Sequence, residues 1–392
     1  MSKLYQEICD ICLVWRDEMK NFVQDEGILL FCLLLPFAYP LLYAWIYNNE
    51  VVREVPVVVV DDSHSAFSRE FIQSVDASPD VRVAYRAGSL EEARRMVEQQ
   101  KVRGIYYLPP ELETNVLRGQ PSHISVYTDM AITLYYKAIF QTATAVVGEM
   151  NKDIRISSMT ALTTQRDEEI SAAPLSFDEV PIFNPAQGYG SFVLPAVLIL
   201  IIQQTLMLGI GLSEGTRHER HKFLPQGIRT GRTMGLHLAL GKGMAYFMVY
   251  VVWTAYLTLV VPRWFSFVMI ARPADLILFF FPYLLACISF GLMLSWLVRY
   301  RENVLLLVVF TSIPFLFLSG ISWPQSAIPP FWRTVGSILP STYAIRGFVR
   351  MASMGATLAD VLAEFRALWI QAGIYLVFAS FVMRRKGNPK KS

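Results

Sequence analysis

Charged residues are scarce in this 392-residue chain, because Asp, Glu, Lys and Arg make up only 17% of it. Ordinary soluble domains contain about a quarter, so a soluble globular fold for the whole chain is excluded. The net charge is +3, and no basic block with interleaved aromatic residues occurs. A nucleic-acid partner is therefore not expected.

Cysteine is also scarce, with four residues in the chain, and none of them lies in residues 48–185. That segment therefore needs no disulfide, even if it faces an oxidising compartment. Cys9 and Cys12 form a Cys-x-x-Cys pair, but no second pair exists to complete a zinc site. We predict no metal or redox role for them.

Motifs for catalysis and cofactor binding are lacking. Gly235 to Lys242 resembles a phosphate-binding loop, but five residues separate its glycines and Gly243 stands where Ser or Thr must follow the lysine. His218 and His221 are three residues apart, whereas the zinc-protease helix motif places its histidines four apart. The sequence therefore predicts no catalytic residue, no cofactor, no metal site and no ATPase site of its own.

Long charge-free apolar runs account for the missing charge. Six of them reach or approach the roughly 20 residues that a helix needs to cross a bilayer, and backbone at that depth must be helical to satisfy its hydrogen bonds. The runs are Gly27–Tyr47, Ser191–Leu212, Gly243–Val261, Leu276–Val298, Asn303–Ser322 and Ala367–Met383. We predict an α-helical polytopic membrane protein with six transmembrane helices.

The predicted spans contain no ionisable residue, whereas carriers coupled to protons or sodium usually keep one at membrane depth. Gln203 and Gln204 are the only adjacent amides in the second span. They either form interhelical hydrogen bonds or line a pathway.

Basic residues predict the orientation. The short loops and tails on one side carry sixteen Lys and Arg residues, against six in the short loops on the other side. The side rich in positive charge faces the cytoplasm. Both termini are therefore expected in the cytoplasm of a bacterium, with the chain multi-pass in the inner membrane and residues 48–185 in the periplasm.

The N-terminal residues 1–26 show a helical pattern. Leu4, Ile8, Ile11, Trp15, Met19 and Phe22 form one apolar stripe, and Glu7, Asp10, Arg16, Asp17 and Lys20 occupy the other face. This pattern is typical of an amphipathic helix in the cytoplasmic membrane interface. The alternative is a helix that packs on a cytosolic partner.

Residues 48–185 alternate short β-rich runs with helical stretches. Strands are expected at Val55–Val60, Val81–Tyr85, Gly104–Leu108 and Ile124–Thr128. Together with the intervening helices they predict a small α/β domain inserted after the transmembrane helix at 27–47. Asp61-Asp62 with His64 could hold a metal, but a turn that caps the next helix is the favoured interpretation.

Residues 186–384 contain the remaining five spans, with a cytoplasmic loop at 213–242 and a basic tail at 385–392. Residues 321–364 are too polar and proline-rich to span a membrane, yet they contain Trp323, Trp332 and Phe348. We expect this segment to form short re-entrant helices at the outer leaflet, where buried backbone can be satisfied by protein.

Residues Trp15–Pro36 read WRDEMKNFVQDEGILLFCLLLP, and the segment between the fifth and sixth spans reads LSGISWPQSAIPPFWRTVGSILPSTYAIRGFVRM (Leu318–Met351). With these segments the chain resembles the permease subunits of ABC-2 type exporters with a large ectodomain. The second segment is similar to the family's Leu-Ser-Gly, Leu-Pro, Thr-Tyr and Arg-Gly signature. The loop after the second span departs from the family's usual Glu-Arg-Gly-Thr order, so residue roles there do not carry over.

This resemblance implies a permease that moves an amphipathic substrate outward and uses ATP hydrolysed by a separate cytosolic ABC ATPase subunit. It also implies contact with membrane lipid and a second permease chain, in a homo- or heterodimer. Whether a periplasmic adaptor takes part is left open by the resemblance. The alternative is a non-transporting envelope component whose outer domain binds other proteins. For contact with the ATPase we expect the loop residues Glu214, Arg217, Glu219, Arg220, Phe223 and Leu224.

Overall fold

The computed structural model describes residues 3–47, 51–118, 120–129, 132–158, 183–184, 188–220, 224–225, 227–228, 231–320 and 322–387. The chain divides into two compact units. One comprises Met1–Glu50 with Pro181–Ser392, and the other is Val51–Val180.

The first unit is helical and contains six helices that are long and apolar enough to cross a membrane. They are α2 (Glu26–Ile46), α7 (Tyr189–Glu219), α8 (Met234–Trp264), α9 (Pro273–Leu297), α10 (Arg301–Leu318) and α13 (Leu362–Lys386). The prediction of six such helices is confirmed. Helix α7 is buried along most of its length, whereas α10 buries only Val304 and Val308. Such exposed apolar helix faces fit a hydrocarbon surrounding rather than water.

Helix α2 buries a single narrow line of side chains. Ile28, Cys32, Pro36, Pro40 and Ala44 recur every four residues and are all buried. This spacing keeps them on one helix face, which packs against α7. A π-helical turn at Leu30–Leu34 precedes the two prolines. Cys32 on this face packs on Gly209 of α7, where any side chain would overlap the cysteine sulfur, so the two helices approach closely there.

The segment between α10 and α13 contains two short helices. They are α11 (Pro330–Ser337) and α12 (Pro340–Met354), and each begins with a proline in its first turn, where the missing N–H costs no helical hydrogen bond. Helix α12 packs against α7, α9 and α13. Short helices are therefore present where the sequence predicts them instead of a further span.

The N-terminal helix α1 (Lys3–Gln24) packs against α8. Its buried residues are Asp10, Val14, Glu18 and Phe22, while Ile8 is exposed. Except for Phe22, this buried face differs from the apolar stripe seen in the sequence, and the placement of that stripe in the membrane interface stays a prediction. The face in contact with the protein is rotated by about one residue and includes carboxylates, because charged groups on α7 and α8 lie opposite them.

The second unit is a four-stranded sheet with helices. Its elements are β1 (Val55–Asp61), α3 (Ala66–Asp76), β2 (Val81–Ala87), α4 (Leu90–Glu98), β3 (Gly104–Leu108), α5 (Leu112–Leu117), β4 (Ser125–Thr128) and α6 (Thr133–Ser158). The strand order is β2-β1-β3-β4. Strand β1 pairs in parallel with both β2 and β3, and β4 is antiparallel to β3.

The central strand β1 explains the fold of this unit. Val57 and Val59 pack into a core with Phe71 and Tyr106, whereas Val58 and Val60 pack into a second core with Ala93. Successive strand residues face opposite sides of the sheet, so helices must cover both sides. The continuous valine run is typical of such a doubly covered parallel strand.

The turn after β1 has a capping role. The Asp61 carboxylate accepts hydrogen bonds from the backbone N–H groups of Ser63 and His64 and from the Ser68 hydroxyl. Ser65 is the N-cap of α3, in a reciprocal capping box with Ser68. The favoured capping interpretation of this motif therefore agrees with the observed contacts.

Candidate functional site

The candidate site is a network of charged side chains, most of them buried, where one end of α7 meets α1, α8, α10 and α13. We call it the charge network. Its members are Asp17, Glu18, Asp25, Glu214, Arg217, Lys242, Arg301 and Lys386.

Glu18 of α1 bonds to side chains of α7 and α8, and it is 1% exposed. One of its oxygens is 2.8 Å from Arg217 Nη2. The other accepts hydrogen bonds from the hydroxyls of Ser213 (2.5 Å) and Tyr246 (3.1 Å). Arg217 Nη2 is also 2.8 Å from Asp17 Oδ2. Both oxygens of this buried carboxylate are therefore satisfied, which is the condition for a buried charge to be tolerated.

Glu214 connects two further helices to α7. Its side chain contacts Lys242 Nζ of α8 directly, and its other oxygen is 3.0 Å from Lys386 Nζ of α13. Lys386 Nζ also donates to the backbone oxygen of Ser295 at the end of α9, at 2.9 Å. Glu214 and Lys242 are each about 3% exposed in their side chains, so water cannot replace either partner.

Asp25 connects α10 to the same region. It accepts from Arg301 Nη1 at 2.9 Å, and its other oxygen accepts from the backbone N–H groups of Gly27 and Ile28 as the N-cap of α2. The backbone N–H of Arg301 in turn donates to Glu219 at 2.8 Å. A carboxylate at a helix N-terminus is stabilised by the helix dipole as well as by these bonds.

A glycine sets the distance between α1 and α8. A Cβ added at Gly241 would lie 2.8 Å from the backbone oxygen of Ile11 and 2.7 Å from Val14 Cγ1. Any side chain at this position would push the two helices apart. Close contact at Gly241 brings Glu18 within reach of α7 and α8.

The predicted ATPase-contact residues fall into different environments. Glu214 and Arg217 do not lie in a loop, because α7 continues to Glu219, and both side chains are buried in the charge network. Glu219 and Arg220 are exposed at the end of α7. Leu224 is half-buried and packs against the helical core. Phe223 lies outside the described residues.

The two glutamines also differ from each other. Gln203 is fully buried, and its oxygen accepts from the backbone N–H of Ser341 at 2.9 Å, which connects α7 to the first turn of α12. For Gln204, the described part of the chain provides no hydrogen-bond partner to the side-chain amide. Gln203 therefore forms an interhelical hydrogen bond, and a pathway role for either residue stays a prediction.

Sequence reasoning did not predict the other members of the network as site residues, namely Asp17, Glu18, Asp25, Lys242, Arg301 and Lys386. A signal for Glu18 was present, because it lies four residues from both Val14 and Phe22 and therefore shares their helix face. No comparable periodicity marks Lys242 or Lys386. Lys242 directly precedes the charge-free run Gly243–Val261, and Lys386 ends α13, so both resemble topogenic residues next to a span.

Comparison with known proteins identifies the family. The model of the family described as "ABC-2 family transporter protein" matches residues 27–381, which is most of the chain. The chain belongs to this family. The chain is therefore an ABC transporter membrane subunit, and membership in the family implies partnering with an ATPase subunit.

A relative of known identity extends this finding. The chain is similar to the linearmycin resistance permease protein LnrN of Bacillus subtilis (strain 168), with 22% identity over 367 residues. The similarity covers 88% of this chain and 91% of LnrN. The charge network is thus a feature of an ABC-2 permease, and its members lie on or contact all six of its long helices.

Proposed function

We propose that this chain is the permease subunit of an ABC exporter, and that it moves an amphipathic substrate out of the cytoplasm or the inner leaflet. The ATP is hydrolysed by a separate cytosolic subunit. The charge network is the observation that carries this proposal, because it joins α1 to the same end of α7, α8, α10 and α13. A displacement applied at that end would reach several spans together. The resistance role in the name of the relative accords with outward transport.

The orientation that we propose places the charge network at the cytoplasmic side. The positive charge of the adjoining loops supports this placement, as does the amphipathic character of α1, which would lie at the cytoplasmic interface. The α/β unit would then be periplasmic, and α11 and α12 would lie at the outer leaflet. With six spans per chain, the transport pathway would form with a second permease chain.

Cysteine labelling tests this orientation. In a chain that lacks its native cysteines, a cysteine placed at Ser122 should react with a membrane-impermeant thiol reagent on intact spheroplasts, whereas one at Ser392 should not. The reason is that the lipid bilayer shields only the cytoplasmic position. Labelling after membrane disruption is the control for reactivity. Reaction at position 392 alone, or at both positions in sealed spheroplasts, would contradict the proposed topology.

The surface that contacts the ATPase is proposed at the end of α7 and in the residues that follow. Glu219 and Arg220 are exposed there and can orient a partner by charge, while Phe223 and Leu224 would supply the apolar anchor that usually dominates affinity. Glu214 and Arg217 are assigned a different role, because their burial places them out of reach of a partner. They would transmit movement from α7 to its neighbours.

Replacement of Phe223 and Leu224 by Ala tests the exporter function. We expect the double variant to reach the membrane normally but to lose substrate stimulation of the partner's ATPase activity, because the anchor is removed and the charge network is not. The measurement is ATP hydrolysis by the purified complex in nanodiscs. Arg232→Gln is the matched control, since Arg232 is an exposed residue of the same loop.

Two outcomes of this experiment separate the hypotheses. Normal stimulation in the double variant would remove this loop as the coupling element. A wild-type chain that never co-purifies with an ATPase would instead favour the non-transporting envelope component.

A further inference from the structure

A cavity of about 450 Å³ lies within the helical unit at the end opposite the charge network. It is formed by the start of α7, the end of α10, one face of α12 and the start of α13. Its volume falls in the range of ligand-binding pockets, which is about 300–1,000 Å³.

Most of the cavity wall is apolar. Phe183 and Phe192 line it on the α7 side, and Ile345, Val349 and Met354 line it on α12. One face of α12 is presented to the cavity, because its lining residues recur at three- and four-residue steps: Ile345, Arg346, Val349, Arg350, Ser353 and Met354. The wall therefore suits an apolar body.

Two arginines line the same cavity, and one of them is neutralised within the chain. Arg350 Nη1 lies 3.2 Å from Glu364 Oε1, and its Nη2 donates to the backbone oxygen of Asp360 at 2.9 Å. Glu364 also lines the cavity, and its negative charge is balanced by Arg350.

Arg346 is in a different situation. No carboxylate within the described ranges forms an ion pair with it, and its buried Nε atom has no hydrogen-bond partner among the described residues. Its guanidinium lies over the ring of Tyr343, 5.7 Å from the centroid. Burial lowers the pKa of the Arg346 guanidinium, and Tyr343 and Glu364 partly offset that effect. An arginine nevertheless stays charged at neutral pH.

A partly buried guanidinium without a bonded anion is unfavourable, because no partner offsets the free-energy cost of its desolvation. A bound anion would offset that cost. A carboxylate or phosphate can accept two parallel hydrogen bonds from the guanidinium group. We propose that this cavity is a binding site for an amphipathic anion, with its carboxylate or phosphate on Arg346 and its apolar body against Phe192, Val349 and Met354.

Two sources could supply this chemistry, a membrane lipid with an anionic headgroup or another amphipathic anion that enters the site. Both would make the same contacts. The inference concerns binding alone, so it holds or fails independently of the proposed export function.

The test is binding of radiolabelled dodecyl phosphate to the purified full chain in phosphatidylcholine nanodiscs, with dodecanol as the neutral comparison. Dodecyl phosphate should bind more tightly than dodecanol, and Arg346→Gln should weaken its binding by about tenfold or more, which corresponds to about 1.4 kcal/mol. Arg333→Gln is the matched control, because Arg333 is an exposed arginine of α11 that does not line the cavity.

A second variant keeps the test valid if Arg346→Gln fails to fold. Ser353→Trp leaves both arginines in place and fills the cavity that Ser353 lines, so it should also abolish binding. Equal binding of dodecanol and dodecyl phosphate, or equal loss in Arg333→Gln, would overturn the proposal, as would unchanged affinity in Ser353→Trp.

A further arm identifies the source of the anion in a membrane. If phosphatidylglycerol in the nanodisc displaces dodecyl phosphate from the wild-type chain but not from the residual sites of Arg346→Gln, the site accepts a lipid headgroup. If dodecyl phosphate binds the wild-type chain at unchanged affinity in the presence of phosphatidylglycerol, the site binds an amphipathic anion other than this lipid.

Discussion

Glu214→Gln is expected to destabilise the helical unit by about 3–5 kcal/mol. The substitution keeps the size of the side chain but leaves Lys242 and Lys386 close together without their shared counter-charge. Lys242 is nearly inaccessible to water. In the variant it must therefore either keep a buried charge without a counter-charge or lose its proton. The effect is measured as the free energy of unfolding in mixed micelles titrated with SDS.

Glu219→Gln is the matched control for this prediction. Glu219 lies on the same helix but is exposed, and it accepts a hydrogen bond from the backbone of Arg301 that a glutamine oxygen can also accept. We expect a change within about 0.5 kcal/mol.

A double-mutant cycle separates charge from packing. Glu214→Gln leaves the Lys242 charge without its partner, and Lys242→Met removes that charge. The double variant should therefore be more stable, by about 0.5–3 kcal/mol, than the sum of the two single effects predicts. Strict additivity would mean that the two side chains do not interact in the folded chain, and it would contradict the ion pair.

Gly241→Ala should detach α1 from α8. The added methyl group would overlap Val14 and the backbone of Ile11, and backbone cannot move aside as a flexible side chain can. Displacement of α1 also separates Glu18 from Arg217. Together the overpacking and the broken ion pair should cost about 3 kcal/mol or more. Trypsin should then cleave at Arg16 and Lys20, which a docked helix protects.

Gly243→Ala provides the control in the same helix. A Cβ at Gly243 would meet only Ile288, at an ordinary distance of 3.4 Å. Both substitutions gain the same helix propensity, about 1 kcal/mol, so their difference isolates the contact with α1. Equal protease resistance in the two variants would show that α1 does not depend on this close approach.

If both predictions hold, the charge network fixes the arrangement of α1 and four long helices at one end. Ion pairs of this kind exist in discrete arrangements, because a buried carboxylate is either paired or strongly unfavourable. An ATPase acting on the neighbouring loop would then move these elements together, which is the role that the proposed function requires.

The amino-acid sequence by itself determined the number of helices that are long and apolar enough to cross a membrane, and the four strands of the α/β unit. A span needs about 20 apolar residues wherever it packs, so Ser191–Leu212 could be recognised without its neighbours. The valine run at Val57–Val60 likewise predicts a buried strand, because such β-branched runs fit a sheet covered on both faces. The family followed from ordered motifs such as those in Leu318–Met351.

Only the tertiary structure decided which charged residues are buried. Glu18 was not singled out, and Glu214 and Arg217 were assigned to a loop, because an isolated sequence gives a charge no reason to be buried. Burial became favourable when α7, α8 and α13 brought opposite charges within hydrogen-bonding distance of them. The same holds for the cavity at Arg346, since its lining residues come from four elements that only packing brings together.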